Sequence, residues 1–165
     1  MKRVKIYAVT ATWAMSMLLF PTIASASAIT TTTNLQIPLN LTVLVPCANG
    51  GAGEMVDISG TLHVLLHFTM SNSGRVTLKE HFQPQGVSGT GQTTGDTYRA
   101  TGVTQQTMTF DGNDGAPFEF TFINNFRIIG QGPGNNLLIH ETVHVTINAN
   151  GEITAFQNNI STECR

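Results

Sequence analysis

From Leu35 to Val45 every odd position is apolar (Leu35, Ile37, Leu39, Leu41, Val43, Val45), while the positions between them are largely polar. Side chains alternate between the two faces of an extended chain, so this pattern describes a strand with one face buried and one wet. Pro38 falls on the polar face and lacks a backbone donor, which places the strand at a sheet edge. From Val56 the apolar set moves to even positions: Val56, Ile58, Leu62, Val64, Leu66, Phe68 and Met70, with Gly60 marking a bend or bulge.

Two turns set the register of the later strands. Val76, Leu78 and Phe82 keep the even set after "SNSG". Both apolar sets share a face only if Met70 lies opposite Val76 and Phe68 opposite Leu78, which requires the odd loop Asn72-Ser73-Gly74 with Gly74 left-handed. The same reasoning pairs Ile147 with Ile153 around Ala149-Asn150-Gly151. Between these hairpins, Tyr98, Ala100, Met108 and Phe110 share one parity, which Phe118, Phe120, Phe122, Phe126 and Ile128 continue beyond "DGNDGAP". "ITTTTNLQ" reads as a loose Thr-rich lead-in, and "QPQGVSGTGQTTGD" as a Gly-rich connection. No segment sustains a 3.6-residue period. The expected fold is all-β, an antiparallel meander of about seven strands forming a barrel or a sandwich.

The first 28 residues have a different design. Lys2, Arg3 and Lys5 precede an apolar stretch from Ile6 to Phe20, followed by small residues. That order describes a secretory signal peptide, cleaved after Ala26 or Ala28, and leaves residues 29–165 as a single β domain. No later segment is apolar enough to be an integral membrane helix. Losing the three cations takes the formal charge from −2 to −5. The remaining cations, Arg75, Lys79, Arg99, Arg127 and Arg165, are scattered. A nucleic-acid ligand requires a basic stripe, so that class of partner is excluded.

Cys47 and Cys164 are the only cysteines. In an exported chain a disulfide between them is the default, with a metal pair or two free thiols as alternatives. If both lie at one end of the sheet, an even number of antiparallel strands separates them. Segments 54–70, 75–83, 97–110, 117–129, 137–148 and 152–161 give six.

His140-Glu141-Thr142-Val143-His144 spells the zinc-protease pattern H-E-x-x-H, in which two histidines one helical turn apart hold the metal and Glu serves as base. Here Val143, Val145 and Ile147 alternate with His144 and Thr146. As a strand, the segment sets His140 and His144 about 13 Å apart, at about 3.3 Å per residue, and turns Glu141 to the other face. The metalloprotease reading is therefore rejected. His63 and His67 repeat the spacing, with His81 diagonal to both. These three are weak metal candidates, set against a plain row of polar side chains on a wetted face. "IIGQGPGNN" leads into a strand and lacks the Lys and helix of a phosphate loop. "GVSGTG" precedes no helix that would present a nucleophilic Ser. Asn40 and Asn159 head glycosylation sequons, relevant only in a eukaryotic secretory path. No motif requires a cofactor, and no residue is singled out as catalytic or ligand-binding.

The runs "HFQPQGVSGTGQTTGDTYRATGVTQQT" and "FTFINNFRIIGQGPGNNLLIHETVHVTINANGE" resemble a group of small secreted bacterial proteins with no assigned function. The resemblance spans about Cys47 to Cys164 and implies bacterial export, to the periplasm or beyond, and an all-β domain. It implies no activity. The low charged fraction, 11% of the chain, and the missing acid–base set lead to a disulfide-closed β domain that binds a small apolar ligand or a partner surface without catalysis. A β-barrel isomerase or cyclase acting on a small lipid-like substrate is the first alternative, and a structural surface protein the second. Convergence of His63, His81 and His140 with Glu80 or Glu141 around one hollow would favour the enzyme. A cavity lined by the Phe set would favour ligand binding, and a filled core the structural role.

Overall fold

The structure, a computed structural model, describes residues 27–132 and 134–165. The expected signal peptide lies almost entirely outside them. Seven strands run in chain order: β1 (Ile29–Val45), β2 (Glu54–Met70), β3 (Arg75–Gly91), β4 (Thr97–Asp111), β5 (Phe118–Gly130), β6 (Leu137–Ile147) and β7 (Ile153–Cys164). Each pairs antiparallel with the next in one seven-stranded sheet that does not close, an open barrel. The two hairpin registers are those the alternation requires, with Met70 opposite Val76 and Ile147 opposite Ile153.

Two segments differ from their sequence reading. The Thr-rich lead-in is not loose, because β1 begins at Ile29 and pairs residue for residue with β2. Thr is β-branched and suits a strand whether or not apolar residues alternate with it. The Gly-rich "QPQGVSGTG" belongs to β3, which runs on to Gly91 through a register shift between Phe82 and Ser88. Gly60 and Gly102 on the neighbouring strands explain why glycines occur here. Both have positive φ, 153° and 115°. A Cβ at Gly60 would sit 2.6 Å from the Val87 Cα, and one at Gly102 would collide with the Asn125 carbonyl. The irregularity bends the sheet across its width.

That bend serves a closure. Six strand spacings of about 4.8 Å would hold β1 and β7 about 29 Å apart in a flat sheet. Yet Cys47, two residues past β1, is disulfide-bonded to Cys164 at the end of β7, with a Cα–Cα distance of 5.5 Å. The sheet must therefore curl at this end, which we call the upper end. Its apolar face turns inward there around a core of Val45, Cys47, Ala48, Val56, Ile58, Val87, Tyr98, Ala100, Ile128 and Leu137. The 46–53 loop, with a 3-10 turn at Asn49–Gly51, contributes Cys47 and Ala48 to that core.

One charged group is built into it. Glu54 is 3% exposed. Its Oε1 accepts from the Tyr98 hydroxyl at 2.7 Å and the Thr94 hydroxyl at 2.8 Å, and its Oε2 from the N–H groups of Thr93 and Thr94 at 3.1 and 3.0 Å. A buried charge is tolerated when its lone pairs are satisfied in this way. The Tyr98 hydroxyl, followed by the Thr94 amide, holds the Glu54 carboxyl down to about 2. Burial, then the Glu54 carboxylate, pushes the Tyr98 phenol well above its ordinary value.

Two outcomes are expected. Replacing Cys47 and Cys164 by Ser removes the constraint on a loop of 117 residues. The chain-entropy value is about 4 to 5 kcal/mol, read in thermal melts as a drop on the order of 10 °C. Because the folded Glu54 pKa lies below its unfolded value, its stabilisation is full above about pH 4.5 and fades as pH falls towards 2. Glu54→Gln should lower the melting temperature at pH 7 and flatten its acid dependence between pH 5 and 2. An unchanged slope contradicts the assignment.

Candidate functional site

Below the bend the same face carries a different surface. Met70, Phe68, Val76, Leu78, Met108, Phe110, Phe118, Phe120, Phe122, Val143, Val145 and Ile147 succeed one another across β2 to β6 in register. Val76 is buried, and the others are only half-buried because no second layer packs on them. On the flanking strands Leu35, Ile37, Phe156 and Ile160 are 41%, 45%, 67% and 64% exposed. The result is a half-exposed apolar face below the end that the loop and disulfide close, which we call the cup. Phe120 and Phe122 line it with rings stacked at a centroid distance of 6.5 Å.

A polar belt crosses this face. Each strand from β3 to β6 breaks its apolar alternation once: Glu80 between Leu78 and Phe82, Thr104 and Gln106 between Ala100 and Met108, Asn124 between Phe122 and Phe126, and Glu141 between Ile139 and Val143. The register aligns the breaks, with Glu80 opposite Gln106, Thr104 opposite Asn124, and Asn124 opposite Glu141. The Gln106 amide donates to Glu80 and the Thr104 hydroxyl donates to Asn124 Oδ1, the latter at 2.9 Å. The belt therefore holds two carboxylates and two amides among apolar walls. It can accept hydrogen bonds from a ligand whose remainder is apolar.

The histidines lie on the other face. His67 is held by Thr32 at 3.0 Å, His63 by Asn34 at 3.2 Å, His140 by Asn125 at 2.6 Å and His144 by Thr121 at 3.0 Å. These are cross-strand polar pairs on a wetted surface. The exception is His81, whose Nε2 is enclosed without a hydrogen-bond partner among the described residues. It lines a shallow hollow with Leu65, His67, Lys79, Glu80, Gln105 and Gln106. Since β6 is a strand, His140 and His144 stand four residues apart along it, and Glu141 points into the cup on the opposite side. Glu80 likewise faces inward while His81 faces outward. Among the described residues no group of three or more His, Cys, Asp or Glu side chains could hold a metal ion. The structure brings together one sequence-assigned pair, Cys47 with Cys164.

Sequence reasoning missed Glu54 and the belt. The signal for the belt was present as one polar interruption in each of four apolar sets, but only the register shows that they coincide. Glu54 gives no such signal, because its main partner is 44 residues away.

Compared with known protein families, with curated proteins and with solved structures, the chain matches none.

The strand geometry sets the metal chemistry of the H-E-x-x-H motif. Metal analysis of the purified domain should find no stoichiometric zinc, and His140→Ala should not change the metal content. Stoichiometric zinc lost in that variant contradicts the assignment of β6.

Proposed function

We propose that this is a secreted bacterial β domain, exported to the periplasm or beyond, that binds a small elongated amphiphile in its cup without catalysis. The observation that carries the reading is the half-exposed apolar face below the bend, crossed by a hydrogen-bonding belt. Soluble proteins keep contiguous apolar surface covered unless something binds there. The disulfide supports an oxidising compartment. No helix among the described residues is long and apolar enough to cross a membrane. A ligand with an aliphatic or aromatic body would lie along Phe68, Phe120 and Phe122. A hydroxyl, amide or amine on it would donate to Glu80, Asn124 or Glu141. The imidazoles required by an isomerase reading do not face this cup.

The neutral apolar fluorophore N-phenyl-1-naphthylamine should bind the purified domain with enhanced, blue-shifted emission. Phe120→Ala should weaken that binding about tenfold or more, since a buried aromatic contact contributes about 1.5 to 3 kcal/mol. His140→Ala on the outer face should leave it unchanged. Organic extracts of the domain taken from its own cells should yield a co-purifying amphiphile. Equal binding by the Phe120→Ala and parent proteins would falsify the assignment of the cup.

A further inference from the structure

The sheet has two free edges, and they are not equivalent. Six antiparallel pairings separate β1 from β7, so the two edge strands run parallel to each other. Closing the barrel on itself would require a parallel ladder in a sheet that is otherwise antiparallel, a less stable pairing per residue. Natural edge strands are protected by Pro, Lys or covering elements. β1 carries Pro38 at its middle. β7, "ITAFQNNISTEC", carries no Pro, Gly, Lys or Arg, and all twelve of its residues are exposed. Ile153, Phe156 and Ile160 stand 65%, 67% and 64% exposed on it.

We propose that β7 pairs antiparallel with β7 of a second copy of this chain about a two-fold axis at Asn158, joining two open barrels into one continuous sheet.

The strand's sequence specifies the register. With Asn158 opposite its own copy, Phe156 faces Ile160 of the partner and Ile160 faces Phe156. Both pairs lie on the apolar side, as do Val145 and Glu141 opposite them on β6. Ala155 then faces Ser161, and Gln157 faces Asn159, within the regular part of β7. A one-residue shift that sets Asn159 on the axis opposes Phe156 to Thr162 and Ile160 to Asn158, destroying both apolar pairs. Charge agrees. Glu163 is the one ionisable side chain in β7, and antiparallel pairing carries the two copies to opposite ends of the joint, beyond mutual repulsion. The joint is small. A strand of this length, roughly 40 Å, against a sheet roughly 10 Å thick gives roughly 400 Å² per partner, with about ten backbone hydrogen bonds. The total of roughly 800 Å² is below the roughly 1,200 Å² at which standard specific interfaces begin, so the dimer is a weak, reversible one.

Sedimentation equilibrium of the oxidised mature domain from 1 to 200 µM tests this directly. The expected result is a concentration-dependent rise from one chain mass to two. Phe156→Lys, with its β-sheet circular dichroism retained, should remain a monomer at the highest concentration. The equivalent change on the other edge, Ile37→Lys, should still dimerise. Asn158→Cys should give a covalent dimer under mild oxidation, because opposed Cα atoms about 4.5 to 5.5 Å apart fall within disulfide reach, whereas Asn159→Cys, diagonal to its copy, should not. A parent protein monomeric throughout, a dimer that survives Phe156→Lys, or cross-linking at 159 in place of 158 would each overturn the proposal. None of these outcomes bears on whether the cup binds the fluorophore.

Discussion

A seven-stranded sheet cannot be both flat and tied from edge to edge. The Cys47–Cys164 bond joins the loop after β1 to the last residue of β7, and that covalent constraint gives the domain its shape. It forces the upper half to curl, turns the apolar side of the alternation inward, and leaves the 46–53 loop packed over the end. Tyr98, Ile58, Ile128, Val45 and Val56 are the largest fully buried side chains, and all lie at the tied end. Where the tie does not reach, the same apolar alternation stays half-exposed.

The two halves also treat polar groups differently. At the closed end Glu54 has four hydrogen bonds from Tyr98, Thr93 and Thr94, so the charge is structural, with its lone pairs occupied. Gly91 belongs to the same arrangement, since a Cβ there would collide with the Glu54 carboxylate. In the cup, Glu80, Asn124 and Glu141 form part of a belt with fewer partners, beside surface that nothing covers. A carboxylate saturated by its own chain stabilises a fold, while acceptor groups left open among apolar walls suit recognition.

The sequence revealed much of the fold because period-2 alternation is a direct readout of which face a residue occupies. The strand positions, both hairpin registers and the parity that brings Cys47 and Cys164 to one end can be read from Leu35 to Val45, Val56 to Phe82 and the Phe-rich β5. Two segments were misread where composition hides the period. "ITTTTNLQ" is polar on both faces yet pairs along its length with β2. "QPQGVSGTG" contains turn residues because the strand bends there without ending. The site was less legible. The five histidines stand out by residue type, but alternation places them on the outer face, four of them against Thr or Asn. The belt residues interrupt otherwise apolar runs, and only alignment across four strands shows them to be neighbours.

The contrast between a sealed end and an open one is most directly tested by side-chain NMR of the oxidised domain with a neutral dissolved paramagnet. Aromatic protons of Phe120 and Phe122 should be strongly broadened, while those of Tyr98 should be nearly unaffected. Equal protection of all three rings would mean that the apolar face is filled by its own chain, and the open cup would have to be abandoned.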